Sequence, residues 1–373
     1  MHTSSLLTGL VTPALLLDAE KMQRNMQRLD DHARGLGVTL RPHVKTAKSV
    51  EVIRHLFKGG TGPITVSTLA EAEVFFGAGY TDILYCVGVA PGKLERIISL
   101  RQKGCDLAVI LDSVAQAQAV AEAEIPALIE IDSDGHRSGL APDDPVLVEI
   151  GRILHHGGVL RGVVTHAGES YTVSGLDAHA AFAEAERAAA VRAAETLRAA
   201  GLSCPVVSVG STPTAHAARD LTGVNELRAG VYMFFDLVMA GIGVCTIDDI
   251  AISVLTSVIG HQTKRGWIMV DAGWMAMSRD RGTASQAVDQ GYGVVCDIEG
   301  RPYPDLVLTA CNQEHGIISR RPGTSGQLPD LPVGTLLRIL PNHACATAAQ
   351  HGRYQVVSPG GGALQVWDRF GGW

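Results

Sequence analysis

Eight short β-rich runs alternate with helical segments between residues 38 and 232, and this alternation limits the fold more than any other feature. The runs cover 38–44, 63–68, 82–88, 106–112, 126–132, 160–167, 205–211 and 226–232. They are almost continuously apolar, which is typical of parallel strands buried on both faces. Eight βα units predict a (β/α)8 barrel, whereas a doubly wound open sheet has the same alternation but usually fewer strands.

The pattern changes after about residue 245, where no long amphipathic helix remains. Short β-rich runs separated by Gly and Pro follow at 251–260, 266–273, 292–298, 306–312, 335–342, 354–358 and 363–368. Such runs indicate an all-β domain. An apolar run at 12–18 could join either domain. We therefore expect an N-terminal segment at 1–20 that partly joins the β domain, an α/β barrel at 21–245 and a C-terminal β domain at 246–373.

Composition excludes several classes of protein. The 373 residues carry a net charge of −7 and no cluster of four Lys or Arg, so a nucleic-acid partner is not expected. No uncharged apolar run approaches the ~18 residues of a membrane span. The start lacks the basic region and the cleavage site of a signal peptide. The seven Cys include no CxxC pair and favour a reducing compartment, hence the cytoplasm.

In a barrel, the chemistry lies where strands end and βα loops begin. The residues at these ends are Arg41, His43, Lys45, Ser67, Thr68, Asp132, His136, Arg137, Thr165, His166, Tyr171, Gly210, Ser211, Thr212, Arg228 and Tyr232. Each has an ordinary interpretation by itself, since Lys45 could be a solvated lysine and 210–212 a common turn. Their shared placement favours an active site.

A lysine on a barrel rim that faces an anion site suggests a Schiff base. Pyridoxal phosphate needs a lysine, a phosphate cradle, a partner for the pyridine nitrogen and a group near the phenolic oxygen. The segment VGSTPTAHAA at 209–218 offers small residues with free backbone N–H groups before a short helix, which is a plausible anion site.

A family resemblance covers nearly the whole chain. The sequence resembles the D-threonine aldolase/D-serine dehydratase family, which consists of alanine racemase-like, fold type III pyridoxal phosphate enzymes. The segments that carry the resemblance are TPALLLD, RPHVKTAKS, VSTLAEAE, EIDSDGHRSG, THAGESY, ELRAGVYMFFD, VDAGWMAMSRDRGTA, NQEHGI and PNHACATAAQ.

The resemblance implies a role for each matching residue. Lys45 matches the Schiff-base lysine, and Lys48 is the weaker candidate. Arg228 matches the arginine beside the pyridine nitrogen, which keeps that nitrogen unprotonated. The phosphate cradle matches Gly210, Ser211 and Thr212. The residues expected to line the ring, the substrate or the phosphate are Arg137, His166, Tyr171 and Tyr232.

His343 and Cys345 stand two residues apart at the end of a β-rich run. In an extended strand, residues i and i+2 project from the same face, so both side chains could bind one ion. Imidazole and thiolate suit Zn²⁺ well, and Mn²⁺ or Co²⁺ is also compatible. The spacing alone is a weak signal, because a loop histidine and a buried thiol would look the same. The resemblance implies that the pair holds a divalent metal.

The implied activity is that of a lyase acting on D-3-hydroxy amino acids. If Lys45 removes the Cα proton, the β-hydroxyl leaves, and D-threo-3-hydroxyaspartate or a D-serine-like substrate yields a 2-oxo acid and ammonia. If His166 deprotonates the hydroxyl instead, the Cα–Cβ bond breaks to give glycine and an aldehyde, as in a D-threonine aldolase. The resemblance also implies that a thiolate ligand accompanies the dehydratases of the family, so Cys345 favours dehydration. Candidates to bind a side-chain carboxylate of the substrate are Arg137, Arg279 and Arg281.

Two other functions stay open from the sequence. A pyridoxal phosphate homeostasis protein uses a similar barrel but lacks a β domain and a metal pair. An amino-acid racemase needs a second base in place of the metal. The expected partners are a small D-amino acid and a second copy of the chain, in a homodimer with the site near the subunit interface, with no nucleic acid and no membrane.

Overall fold

The computed structural model of the chain describes residues 6–358 and 363–373. These residues form two compact units. The barrel unit comprises 27–232 and 371–373, and the β unit comprises the described residues of 6–26 and 233–370. No helix in the described ranges is long and apolar enough to cross a membrane.

The barrel unit contains eight strands, and neighbouring strands pair in parallel around a ring. They are β2 (Thr39–Pro42), β3 (Ile64–Val66), β4 (Asp82–Gly88), β5 (Asp106–Leu111), β6 (Ala127–Ile131), β7 (Leu160–Thr165), β8 (Val206–Val209) and β9 (Glu226–Ala229). Strand β2 pairs with β9, and a parallel bridge between His43 and Thr65 links it to β3. The predicted (β/α)8 barrel is confirmed, because all eight predicted runs contain a strand.

Several of the helices that alternate with these strands begin where a side chain satisfies a free backbone N–H. The Thr68, Ser113 and Asp144 side chains accept hydrogen bonds at the starts of three of them. The helices are α1 (Ala19–Gly35), α2 (Val50–Leu56), α3 (Leu69–Gly77), α4 (Leu94–Gln102), α5 (Val114–Glu122), α6 (Pro145–His156), α7 (Leu176–Ala199) and α8 (Thr212–Ala217). The two longest of these helices are α1 and α7, with 17 and 24 residues.

The β unit is built on a nine-stranded sheet. Its strands are β1 (Ala14–Asp18), β10 (Ile252–Gln262), β11 (Trp267–Val270), β12 (Gly293–Cys296), β13 (Pro302–Cys311), β14 (Gly316–Arg320), β15 (Leu336–Pro341), β16 (Arg353–Val357) and β17 (Gln365–Asp368). Strand β10 pairs with both β11 and β15, so six strands close into a ring in the order β10-β15-β12-β13-β14-β11. The short helices are α9 (Leu237–Gly241), α10 (Trp274–Met277) and α11 (Ala344–Ala348).

The sequence left the run at 12–18 open to either domain, and the structure places it in the β unit. Strand β1 pairs antiparallel with β10 and parallel with β16. All seven predicted runs of the C-terminal region contain a strand. Strand β14 is an addition that the sequence did not indicate.

Candidate active site

Lys45 lies just beyond the carboxyl end of strand β2, and its amine makes no hydrogen bond or ion pair within the described residues. Lys48 differs, because its Nζ lies 3.1 Å from Oε1 of the fully buried Glu71. That carboxylate also accepts hydrogen bonds from the Ser67 backbone and hydroxyl at 2.9 and 2.6 Å. Of the two lysines, only Lys45 has an amine available for covalent chemistry.

Three cations and two histidines meet within electrostatic range of one another, and we call them the cationic rim. They are Lys45, Arg137, Arg228, His43 and His166. Burial, followed by the charges of Lys45 and Arg228, holds the pKa of His43 well below its usual value. Both histidines are therefore neutral near pH 7.

The tautomer of His166 follows from its hydrogen bond. Its Nδ1 lies 3.0 Å from the carbonyl oxygen of Gly210. A carbonyl only accepts, so Nδ1 carries the hydrogen and Nε2 holds a lone pair. Burial and then the charge of Arg137 lower the pKa of His166 to about 3. The ring centre of Tyr171 lies 6.3 Å from that of His166.

Arg228 is buried in the barrel and held at two points. Its guanidinium donates to the Ser208 hydroxyl at 2.8 Å and to the Thr165 carbonyl oxygen at 2.5 Å. Ser208 in turn donates to the Glu226 carboxylate at 2.6 Å, which also accepts from Arg41 at 2.5 Å. This chain of hydrogen bonds fixes the direction of the Arg228 guanidinium. Sequence reasoning did not single out Ser208 or Glu226.

Arg137 is half-exposed in the loop that follows strand β6, and its guanidinium lies 3.5 Å from the buried Glu130 carboxylate. Glu130 also accepts a hydrogen bond from the Ser138 hydroxyl at 2.9 Å. Arg137 therefore keeps part of its guanidinium accessible to solvent, while the ion pair to Glu130 limits where the side chain can lie.

Residues 210–212, which we call the phosphate loop, connect strand β8 to helix α8. Gly210 has φ +139°, and a Cβ there would lie 2.0 Å from the Arg228 carbonyl oxygen, so only glycine fits. The hydroxyl of Ser211 caps α8 and forms a capping box with Thr214. Hydroxyls of Thr212 and Tyr232 are buried and have no hydrogen-bond partner within the described residues.

Buried polar groups normally find a partner, because leaving one unpaired costs about 1–3 kcal/mol. The unpaired Thr212 hydroxyl in this glycine-dependent loop therefore fits an anionic ligand such as a phosphate group. The ring centre of Tyr232 lies 6.4 Å from that of His216 in α8, the helix that follows the loop. Sequence reasoning missed one further residue here, Glu186, whose buried carboxylate accepts the Gly210 N–H at 2.9 Å.

In the β unit, the strand geometry predicted for His343 and Cys345 is wrong. Strand β15 ends at Pro341, His343 stands at the N-terminus of α11, and Cys345 lies in the first turn of that helix. The Asp236 carboxylate accepts the Ala344 N–H at 2.8 Å and so helps to start the helix. The side chains of His343 and Cys345 still meet within hydrogen-bonding distance. We call them the metal pair.

Asp280 orients the imidazole of His343. Its Oδ2 lies 2.6 Å from His343 Nδ1, so Nε2 is the nitrogen left to bind a metal. Burial lowers the pKa of His343, but the hydrogen bonds to Asp280 and Cys345 outweigh it and raise the pKa to about 11. Imidazole and thiol are donors that zinc prefers, so the residues fit the metal that the sequence implies.

The metal pair provides two protein donors. Within 6–358 and 363–373, no three His, Cys, Asp or Glu side chains are arranged to hold an ion. The carboxamide of Asn342 ties the loop that bears Asp280 to the turn that bears the pair, through bonds to the carbonyls of Asp280 and Gly291 at 3.2 and 2.6 Å.

The two arginines near Asp280 are placed differently. Arg281 pairs with Asp289 at 2.7 Å and stacks 5.0 Å from the Tyr292 ring centre. Arg279 is exposed and stacks 4.2 Å from the Trp274 ring centre, with no carboxylate partner within the described residues. Of these two candidates for a substrate carboxylate, Arg279 is the available one.

Comparisons with known families cover both units. The sequence matches "Alanine racemase, N-terminal domain" over residues 17–238 and "Putative serine dehydratase domain" over residues 251–357. Among solved structures, a cysteine-to-alanine variant of D-threo-3-hydroxyaspartate dehydratase in its metal-free form superposes with a TM-score of 0.96. That structure is 56% identical, with 99% of this chain and 100% of that chain covered. The D-threonine aldolase of Filomicrobium marinum gives a TM-score of 0.81 at 28% identity, with 97% and 96% covered.

Curated relatives agree with these matches. The chain is 57% identical to the D-threo-3-hydroxyaspartate dehydratase of Delftia sp. (strain HT23), over 98% of this chain and 99% of that protein. It is 28% identical to the D-serine dehydratase of Dictyostelium discoideum, with 94% of each covered. The D-threonine aldolase of Arthrobacter sp is 29% identical, with 94% of this chain and 89% of that protein covered. The chain therefore belongs to the D-threonine aldolase/D-serine dehydratase family of alanine racemase-like, fold type III pyridoxal phosphate enzymes.

Proposed function

We propose that this chain is a pyridoxal phosphate- and divalent-metal-dependent lyase that dehydrates D-3-hydroxy amino acids to a 2-oxo acid and ammonia. The substrates proposed are D-threo-3-hydroxyaspartate or D-serine-like compounds. One observation carries the proposal: the unengaged amine of Lys45 lies in a cationic rim with two neutral histidines. The near relative that is named a dehydratase supports the choice of reaction.

The barrel residues divide the work of holding the cofactor. The phosphate loop and the Tyr232 hydroxyl would hold the phosphate, and Arg228 would stand beside the pyridine nitrogen. Arg137 and Tyr171 would line the ring and substrate region. When bound, pyridoxal phosphate supplies an electron sink for the bonds at Cα. Lys45 Nζ would hold the cofactor covalently and, once the substrate amine has displaced it, its free amine would take the Cα proton.

His166 favours dehydration over retro-aldol cleavage. Its Nε2 lone pair could accept the proton of a substrate hydroxyl, which is the step that an aldolase requires. A base with a pKa of about 3 accepts that proton poorly near pH 7, because efficient general bases have a pKa close to the working pH. D-Threonine aldolase activity is thus the second candidate, and the aldolase relatives are what favours it.

His343 Nε2 and Cys345 Sγ would hold Zn²⁺, Mn²⁺ or Co²⁺. When bound, such an ion polarises an oxygen of the substrate and so helps a hydroxyl to leave. Two observations support this assignment. Asp280 contacts Nδ1 of His343 and so leaves Nε2 as the nitrogen that can bind an ion. A solved structure of a relative in which a cysteine was replaced is described as a metal-free form.

Product analysis tests the reaction. Purified holoenzyme is incubated separately with D-threo-3-hydroxyaspartate, D-serine and D-threonine. We expect equal amounts of 2-oxo acid and ammonia from the first or second substrate. Glycine with an aldehyde would instead identify an aldolase, and the opposite enantiomer a racemase. A cofactor-loaded protein that converts none of them would contradict the proposed reaction and leave the homeostasis protein as the alternative.

We also propose that the chain forms a homodimer in the cytoplasm. None of the seven cysteines, all of which lie in the described ranges, forms a disulfide, as expected of a protein from a reducing compartment. The two-fold dimer is the commonest assembly of soluble proteins. Light scattering is expected to give twice the chain mass of 39.3 kDa, and a fully active species of 39.3 kDa would contradict the dimer.

A further inference from the structure

Glu186 joins the ends of two barrel strands from the interior of helix α7. The side chain is 2% exposed. Its Oε1 accepts the backbone N–H groups of Gly210 and Ala167, both at 2.9 Å. Its Oε2 accepts the Thr214 hydroxyl at 2.8 Å. One carboxylate therefore holds the loop after β7, the loop after β8 and the first turn of α8 together.

Those backbone groups adjoin the residues proposed to bind the cofactor. The Gly210 carbonyl accepts the hydrogen bond of His166 Nδ1 at 3.0 Å. Thr214 accepts the Ser211 N–H at 3.0 Å. A shift of the Glu186 oxygens would therefore move the phosphate loop and the imidazole of His166 together.

Glu186 acts here as a hydrogen-bond acceptor rather than as half of an ion pair. No cation donates to it within the described residues, and Arg228 is only within electrostatic range. Burial raises the pKa of this carboxyl group, as expected for a group that desolvation disfavours in its charged form. A formal negative charge beside a phosphate would also oppose binding of the phosphate.

We infer that Glu186 is a positioning residue for the cofactor phosphate: its carboxyl oxygens fix the phosphate loop through the Gly210 N–H and the Thr214 hydroxyl. This inference rests on the proposed function, since it presupposes that the loop binds pyridoxal phosphate.

Three substitutions of Glu186 distinguish the effect of its hydrogen-bond acceptors from the effects of its acidic group and of its side-chain volume. Glu186→Gln keeps an oxygen for the two N–H groups, and its amide nitrogen can donate to Thr214. Glu186→Leu keeps most of the volume but leaves two buried N–H groups without an acceptor. Glu186→Asp keeps the carboxyl group but withdraws the oxygens by one methylene. Glu184→Gln is the matched control, because Glu184 is an exposed residue of the same helix that pairs with Arg187.

Equilibrium dialysis of each full-length holoenzyme against a series of pyridoxal phosphate concentrations measures the dissociation constant. Thermal unfolding of the same samples measures stability. We expect Glu186→Gln and Glu184→Gln to bind within about threefold of the unsubstituted enzyme. Glu186→Leu and Glu186→Asp should bind at least about tenfold more weakly, which is a loss of about 1.4 kcal/mol.

If Glu186→Leu does not fold, the affinity of Glu186→Asp for pyridoxal phosphate tests the inference. Wild-type affinity in Glu186→Asp, or in a folded Glu186→Leu, would overturn the inference even if the melting temperature falls. A Gln variant as weak as the Asp variant would also overturn it, because a neutral acceptor of the correct length would then fail to hold the phosphate loop. A native enzyme that binds no pyridoxal phosphate would refute the proposed function instead.

Discussion

His166 in the barrel unit and His343 in the β unit make similar hydrogen bonds but titrate in opposite directions. Each has Nδ1 close to an oxygen atom, at 3.0 Å from the Gly210 carbonyl and at 2.6 Å from the Asp280 carboxylate. The pKa of His166 falls to about 3 because burial and nearby cations disfavour its charge. That of His343 rises to about 11, against the effect of burial, because Asp280 and Cys345 favour it. A hydrogen bond to an anionic carboxylate favours the charged imidazole, whereas a hydrogen bond to a neutral carbonyl among cations does not.

The same contrast describes the two groups of side chains as a whole. The cationic rim gathers Lys45, Arg137 and Arg228, which suits a phosphate and a carboxylate. The metal pair is surrounded by the carboxylates of Asp280 and Asp236, which suits a cation. Each unit therefore provides the charge opposite to that of the group it is proposed to bind, and the following substitutions test that division.

Lys45→Ala should have the largest effect. Removing the amine removes both the covalent attachment and the proposed base for the Cα proton, so turnover should fall by at least about 10³-fold. Lys48→Arg is the control, because arginine can keep the ion pair to Glu71. Borohydride reduction followed by peptide mapping should place the cofactor on Lys45 in both the native and the control enzyme. A label on Lys48 would show that the assignment is wrong.

His343→Ala should come next, with turnover at least about 10²-fold lower. Lewis acidity contributes several kcal/mol, and each ~1.4 kcal/mol is tenfold in rate. Treatment of the native enzyme with a chelator should have the same effect, and the cofactor should stay bound in both cases. Cys311→Ser, at the end of strand β13, serves as a thiol control. Full activity of chelator-treated enzyme would exclude a role for a metal.

Asp280→Asn should weaken metal binding by about 10–100-fold, the range found for residues that orient a ligating histidine. The asparagine can still contact Nδ1 but no longer supplies the negative charge. Asp305→Asn is matched to it, since Asp305 is a half-exposed carboxylate that pairs with Arg320 at 3.1 Å. Competition with a chromogenic chelator measures both affinities. Equal metal affinities in the two variants would show that Asp280 does not contribute to metal binding.

His166 should make stability depend on pH in a defined direction. Its folded pKa of about 3 lies below the unfolded value near 6.5, so the unfolded chain binds more protons between these values. The contribution of His166 to the free energy of unfolding is complete above pH 6.5 and is lost as the pH falls towards 3. Denaturation of cofactor-free protein at pH 7 and pH 5 should show this loss of stability.

His166→Asn keeps a donor for the Gly210 carbonyl but does not titrate. Its loss of stability from pH 7 to pH 5 should be smaller than that of the native protein by up to about 2 kcal/mol. The control is His156→Asn, since His156 is an exposed histidine whose Nδ1 also contacts a carbonyl oxygen. Parallel pH profiles in native and His166→Asn proteins would contradict the neutral state of His166.

The barrel was predictable because each buried parallel strand leaves its own apolar run in the sequence. The rim residues were predictable for the same reason, since the ends of those runs meet at one face. Strand β14, by contrast, is a short segment, Gly316–Arg320, that begins within the motif NQEHGI and shows little alternation of apolar and polar residues.

Contacts between residues far apart in the chain could not be predicted from the sequence pattern. The helix that carries Cys345 starts on Asp236, 108 residues away from the N–H that it accepts. Glu184 and Glu186 stand in the same alanine-rich helix, yet one is exposed and the other fully buried. Only the packing of α7 against the strands distinguishes them.

The division of charge between the two units is tested most directly by measuring bound metal and covalent cofactor in the same samples. Elemental analysis and borohydride labelling are applied to the native enzyme, Lys45→Ala and His343→Ala. We predict that Lys45→Ala keeps the metal and loses the covalent cofactor, while His343→Ala keeps the covalent cofactor and loses the metal. If either single substitution removes both groups from a folded protein, or if the native enzyme contains no metal, the division is wrong.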